Sequence, residues 1–395
     1  MVLTFALTLP ISRAAISLFA ILFPLIWILE GNFKHKFQTI KNSKVLLSFM
    51  AFIGFTFLSI LWSSDSKDAL SSARLLTYMF TIFVLSTSLK EEWGEKIINF
   101  FLYGMFISEI FAYLIFFDIY AIKGQTPDYP SPFMMHIDYS IYLAFVSILL
   151  LHRMFSPHFS SKEKVIMFIF FLTVTINLFI SIGRTGQVAF LVALFLSILL
   201  HFRFSFKAFL IFSLLTTGIF FGAYKNIDMF EQRVNAAVSD ITLLQTQDDY
   251  HTSLGLRAAY WILSYDMFLN DPVLGKGTGS DRQAVKELLK AKEYGFSQAT
   301  KQELGDSHLH NQYLMVIVQL GLFGLVIFSI LFFYLFRLKI SDRQMKETSL
   351  LFFTIFIIGF LAEPLWVKQF TLALFVLFSS IFINASLNNE EKLSD

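Results

Sequence analysis

The sequence predicts an all-α polytopic integral membrane protein, with about eleven or twelve transmembrane helices and one large, partly helical external loop. Composition carries most of this. Of 395 residues, 56% are hydrophobic and only 15% charged, against about 25% charged in soluble domains. Mean hydropathy is +0.64, and Phe alone occurs 50 times. At about 20 apolar residues per crossing, that content suffices for roughly ten or eleven spans. The second observation is segmentation. Apolar runs separated by charged or turn-rich breaks place spans near 12–30, 45–62, 73–89, 97–117, 137–151, 165–183, 187–201, 207–223, 313–336, 349–363 and 367–385.

Each part of the chain adds to this. Val2 to Ile11 is too short to cross alone and reads as a twelfth short or re-entrant segment. It lacks a basic leader, so it is not read as a cleavable signal. Lys and Arg in the short loops set the orientation. One set of loops carries sixteen, among them Lys34, Lys96, Arg203, Lys346 and Lys392. The alternate set carries Lys67, Lys123, Arg184 and Lys368. The richer side is expected inside, which puts the large loop outside. The expected divisions are a transmembrane bundle at 1–223, a loop domain at 224–312, and C-terminal helices with a tail at 313–395.

The loop holds nine Lys and Arg and twelve Asp and Glu, so it is no polybasic lipid strip. Leu256–Asn270 reads as an amphipathic helix, and Asp281–Glu293 as a second. Between them the run Gly275-Lys276-Gly277-Thr278-Gly279 is neither a nucleotide fingerprint nor a Walker loop, because it follows a helix and not a strand. Net charge is +2, with no basic face, which excludes a general nucleic-acid binder. Zero cysteines exclude thiol catalysis, disulfides and Cys-ligated metal.

Ionisable residues at the edge of a membrane core are costly, so each needs a reason. Arg184 lies in Ser181-Ile182-Gly183-Arg184-Thr185-Gly186-Gln187, a tight break between two spans. It reads either as an interfacial snorkelling arginine or as a phosphate fork, with Gly183 and Gly186 letting a ligand approach the backbone. Arg257 opens the first loop helix, where free backbone N–H groups and the helix dipole suit an anion; alone it is equally a solvated charge. His310, in His308-Leu309-His310-Asn311-Gln312, is the default general base near neutral pH, or else a structural histidine. Asp306 is four residues earlier and would orient the ring if the helix began that early. His308 would face elsewhere on a helix, and His-x-His with no nearby third ligand argues against zinc. Glu109 and Glu363 are carboxylates inside expected spans that could pair with the arginines, hold a proton, or make an interhelical hydrogen bond. Lys67 and Arg74 flank an outer loop as weaker candidates, and Asn311 stands beside the histidine.

These residues resemble the bacterial O-antigen ligase and polymerase superfamily. His310-Asn311, nine residues, Gly321, two residues and Gly324 are similar to its His-Asn-x9-Gly-x-x-Gly signature at the end of the large loop. The Ser-x-Gly-Arg-Thr-Gly turn at Arg184, and Arg257 followed by Pro-x-x-Gly-x-Gly, also resemble that family. The resemblance implies a membrane glycosyltransferase of the C class that needs no metal and no cofactor. Its donor would be an undecaprenyl diphosphate-linked glycan, and its acceptor a sugar hydroxyl of lipid A–core, at the periplasmic face of the inner membrane. Arg184 and Arg257 would bind the diphosphate, and His310 would activate the hydroxyl. A polymerase extending lipid-linked glycan, a protein-glycosylating ligase and a transporter remain the competing expectations; near charge-free mid-spans argue against the transporter.

Overall fold

A computed structural model describes residues 1–90, 92–122, 124–202 and 205–394, with the backbone alone for Ala208, Met229 and 391–394. Lys123 and Arg203, two of the charges used to orient the chain, lie outside the described residues, as does the side chain of Lys392.

Helices account for the architecture. The N-terminal part contains α1 (Val2–Thr8), α2 (Arg13–Glu30), α3 (Phe33–Asn42), α4 (Lys44–Leu58), α5 (Ser66–Leu76), α6 (Phe80–Ser88) and α7 (Trp93–Phe116). The middle adds α8 (His136–Phe155), α9 (Ser161–Ile180), α10 (Arg184–His201), α11 (Phe206–Asn226) and α12 (Asp228–Gln247). Then follow α13 (Ser253–Asn270), α14 (Asp281–Ala291), α15 (Gln298–Asp306), α16 (Gln312–Phe336), α17 (Arg343–Gly359) and α18 (Gln369–Ser394).

Among the described residues, ten segments are long and apolar enough to cross a membrane, α5 and α6 counting as one. The remaining expected span, 349–363, is α17 shifted toward the N-terminus. Its polar first turn conceals the true start, and its 17 residues reach about 25 Å against a hydrocarbon core of about 30 Å. Glu363 therefore lies beyond the helix and not inside a span. The Val2–Ile11 segment contains a seven-residue helix, α1, far too short to cross.

The phenylalanines explain themselves at the centre. Phe145 of α8 meets Phe378 of α18 at 4.5 Å and Phe352 of α17 at 4.8 Å, both edge-on. Such pairs add about 0.5–1.5 kcal/mol beyond burial, which matters where lipid gives no hydrophobic drive between helices. Helix α10 lies hard against α8: Ser140 occupies the space beside Gly183 and Gly186, and its hydroxyl accepts from the Gly186 amide at 3.1 Å. Those glycines admit a neighbouring helix, which corrects the expectation that a ligand approaches there.

In the large loop, α13 starts three residues before Leu256 because the Thr252 hydroxyl caps it, accepting from the Gly255 amide at 3.1 Å. Helices α12 and α15 were not expected, although Phe230, Val234, Ala237, Ile241 and Leu244 repeat at helical spacing along α12. The loop's core includes Tyr260, Leu263, Val285 and Leu304 and continues into Leu314, Met315 and Val318 of α16. The loop thus has a core of its own, which shares α16 with the bundle core.

The join is a break in α16. Gly321 has φ 64° and ψ −165°, a conformation that strains any residue with a Cβ. Into the break fits the glycine-rich run. The Lys276 and Gly277 amides donate to the Val318 and Gln319 carbonyls, both at 2.8 Å, and the Leu322 amide donates to the Pro272 carbonyl at 2.9 Å. Backbone groups freed by the kink are satisfied as the membrane environment demands. Thr278 then bonds the Thr56 carbonyl at 2.9 Å and Ser59 at 2.6 Å, fastening the loop to the end of α4.

Candidate active site

Helix α15 ends at Asp306, and α16 begins only at Gln312. Asn311 caps α16, its side-chain oxygen accepting from the Tyr313 amide at 2.8 Å and the Leu314 amide at 3.1 Å. Between the helices His310 adopts a left-handed backbone, φ 47°. Two expectations fail for this reason. Asp306 cannot orient the histidine; it is solvent-exposed and pairs with Lys286 at 3.3 Å. Nor does His308 face away, because residues two apart in this turn project together, with ring centroids 4.5 Å apart.

The orienting carboxylate is Glu363. The turn after α17 docks on the start of α16: the Gln312 amide donates to the Phe360 carbonyl at 2.9 Å, and the Asn311 amide group donates to the Leu361 carbonyl at 2.9 Å. That docking sets Glu363 Oε2 at 3.0 Å from His310 Nδ1, while Oε1 faces Lys368 Nζ at 3.1 Å and His308 Nε2 at 3.4 Å. Burial pushes the Glu363 carboxyl up, but the His310 hydrogen bond and the Lys368 charge outweigh it and hold it at about 2. An ionised carboxylate can only accept, so His310 donates from Nδ1, and in the neutral ring that tautomer puts the lone pair on Nε2. His308 reads the same way: its Nδ1 accepts from the His310 amide at 3.4 Å, which leaves Nε2–H toward Glu363. Burial pushes His308 down to about 4, so it stays neutral.

His308, His310 and Glu363 could supply three metal-ligand atoms, all within 4.8 Å of one another. The missing third ligand of the sequence reading is thus present. Lys368 already supplies the positive charge beside Glu363, so the cluster is neutralised without an ion.

The two arginines converge on one serine. Arg184 opens α10 and donates from Nη2 to Ser253 Oγ at 3.2 Å, while Arg257 Nη1 donates to the same Oγ and to the Ser253 carbonyl, each at 2.8 Å. Among the described residues, neither forms an ion pair within 4.0 Å; Arg233 of α12 adds its charge to theirs, and Asp240 of α12, which accepts from the Leu254 amide at 3.3 Å, opposes it. Three arginines against the carboxylate of Asp240 leave the group net positive, which suits an anion. The arginine and histidine groups are linked through α13. Tyr260 is three residues from Arg257, on the same helical face, and its ring lies 5.9 Å from that of His310. His136, at the start of α8, lies in the fields of Arg184, Arg233, Glu363 and Lys368 together.

The remaining candidates separate. Asn311 acts as a cap. Glu109 is buried in α7, with one oxygen unpartnered and no arginine beside it. Glu363 pairs with histidines and lysine, not with the arginines. Lys67 is exposed in the first turn of α5. Arg74 lines a cavity that reaches His308. Sequence reasoning missed Ser253, Tyr260 and the role of Lys368; the His-x-His spacing was the one available signal for His308.

Residues 168–329 match the family described as O-antigen ligase. That stretch, about two fifths of the chain, is similar to the O-antigen ligase family. The stretch matched to the ligase family runs from α9 through the break in α16, so it holds Arg184, Arg257 and His310 and stops short of Glu363 and Lys368. An uncharacterized protein of Haemophilus influenzae is 31% identical over 121 residues, an alignment spanning 29% of this chain and 29% of that protein.

Proposed function

We propose that the protein is an O-antigen ligase, transferring a glycan from undecaprenyl diphosphate to a sugar hydroxyl of lipid A–core at the periplasmic face of the inner membrane. The observation that carries this reading is the division of labour in the site. Two arginines in a net positive group meet at Ser253, and a histidine is held through Nδ1 by a buried carboxylate. Ligation needs those two functions and no redox or cofactor step.

His310 Nε2 takes the proton of the acceptor hydroxyl as its oxygen forms a bond to the anomeric carbon. The bond from that carbon to the diphosphate oxygen breaks on the opposite face, inverting the configuration. Arg184 and Arg257 bind the diphosphate and stabilise the charge it gains on leaving. Glu363 stabilises the imidazolium that forms. Orientation toward the periplasm rests on the Lys- and Arg-poor loops that bear the site.

The test is reconstitution of purified protein with undecaprenyl diphosphate-linked glycan and lipid A–core, with chelator present. Transfer to lipid A–core that His310→Ala abolishes supports the ligase. Lengthened lipid-linked glycan would make the protein a polymerase, and retention at the anomeric carbon would sink the in-line displacement.

A further inference from the structure

Two neighbouring helices of the large loop expose opposite chemistry. On α14 the exposed side chains are Arg282, Lys286, Glu287 and Lys290. Beyond the first turns of α13 they are Trp261, Ile262, Tyr265 and Leu269, at helical spacing and opposite the buried Ala259, Leu263 and Met267. Trp261, Tyr265 and Leu269, with Val273 just past the helix, are 54–64% exposed. The charge nearest this face, Asp266, turns aside to Lys292 at 2.6 Å and Tyr294 at 2.5 Å. A helix that is apolar on both faces offers water nothing, and an exposed strip of this kind marks a contact surface.

The register against α16 says what covers it. Tyr260 lies beside His310, and the Leu322 amide donates to the Pro272 carbonyl. Both pairs are 50 positions apart (310−260 and 322−272), so α13 runs beside the first part of α16 and in the same direction. Helix α16 is long and apolar enough to cross a membrane. Counting about 20 residues back from Phe336, at about 1.5 Å each, spans a hydrocarbon core of about 30 Å and puts its edge on the site's side near Ile317. By the same offset Tyr265 stands at that edge, with Leu269 and Val273 below it and Trp261 above. Where Val273 ends the strip, its carbonyl accepts from the Phe323 amide at 3.2 Å, and the exposed Leu322, Phe323, Val326 and Ile330 carry the apolar surface down the span. Asp271 and Lys276, the charges at the tip, pair with each other.

We propose that α13 and the run after it form a re-entrant segment whose exposed face is covered by bulk phospholipid of the leaflet on the site's side. Trp261 and Tyr265 lie at headgroup level, where amphipathic rings are favoured, and Leu269, Val273 and Leu274 lie among the acyl chains. Arg257, one turn before Trp261, is thereby held against the headgroup layer. The proposal does not depend on the reaction proposed above.

The chain has no cysteine, so single-cysteine variants of the full-length protein take one nitroxide label each. Tyr265→Cys, Leu269→Cys and Val273→Cys are labelled, placed in phosphatidylcholine nanodiscs, and scored by collision with oxygen, which concentrates in lipid, against a nickel chelate, which stays in water. Phe333→Cys, on the exposed side of the span, gives the lipid reference, and Lys290→Cys on α14 the water reference. The oxygen-to-nickel ratio should rise in the order 265, 269, 273, with Val273→Cys matching Phe333→Cys and Tyr265→Cys between the two references. Ratios equal to that of Lys290→Cys at all three positions would overturn the proposal. Immobilised labels that neither reagent reaches would also overturn it and assign the face to a second copy of the chain. As a second measurement on unlabelled protein, Trp261→Phe should reduce tryptophan quenching by lipid brominated near the headgroup more than by lipid brominated near the chain end. No change with either lipid would remove Trp261 from the membrane and overturn the placement.

Discussion

The two polar groups of the site are built on opposite plans. Around Glu363 every charge has a partner: two imidazoles and an ammonium surround one buried carboxylate at 3.0–3.4 Å. At Ser253 two guanidiniums share a neutral hydroxyl and, among the described residues, no carboxylate within ion-pair distance. A fully paired cluster holds a side chain in one orientation and proton state, whereas an unpaired one stores electrostatic potential for a charge that arrives with the substrate. The comparison separates residues that act by being fixed from residues that act by being available.

Breaking the fixed group at its centre should cost most. In the reconstituted transfer assay, His310→Ala is expected to lower kcat by about 10³-fold or more, with donor binding, measured by native mass spectrometry in nanodiscs, unchanged. Weaker donor binding would mean that the histidine also holds the diphosphate.

Next come the available charges. Arg184→Ala and Arg257→Ala should each lower kcat/KM by about 10²-fold, and together by less than the product, because residues acting on one group are not additive. Full additivity in that cycle would place them on different substrates.

Glu363→Gln should lower kcat by about 10–100-fold with KM for the donor held, since a carboxamide can face the ring with either atom and no longer fixes the tautomer. Rescue by Glu363→Asp is expected to be partial, because the shorter arm cannot hold 3.0 Å.

Gly321→Ala probes the scaffold under both groups. A Cβ there collides with the Val273 carbonyl in a backbone already at positive φ. Thermal unfolding should show a loss of about 2–4 kcal/mol.

The smallest effect concerns pH. His308 in the fold lies near 4 against an ordinary 6.5, and Glu363 near 2 against 4.5. Both depressed values give stability that is present at neutral pH and lost on acidification, for His308 as pH falls from 6.5 to 4 and for Glu363 from 4.5 to 2. His308→Gln should flatten the upper part of that fall in a pH series of melting temperatures.

What the sequence disclosed follows from the range of each interaction. Hydropathy is a local sum, so the spans were legible, and the error at α17 came from the polar residues Arg343, Gln344, Lys346 and Glu347 at its start. Arg184, Arg257 and His310 were legible as chemistry on one side of the bundle. Their partners were not. Glu363 is 53 positions from His310 and Ser253 is 69 from Arg184, and nothing in either local pattern announces the pairing. Asp306 misled because it is close in sequence; a left-handed residue at 310 and a helix that stops at 306 make that closeness irrelevant.

The half of α16 between its cap and its break contains nine residues, Gln312 to Leu320. At about 100° and 1.5 Å per residue, inserting a single residue there would swing His310 more than a quarter-turn about the axis and lift it away from Glu363, although no partner atom had changed. An insertion of a whole turn would nearly restore the direction and lose only the height. The nine-residue spacing therefore acts as a ruler, and gaps at that place in related chains should be rare, or come in threes and fours.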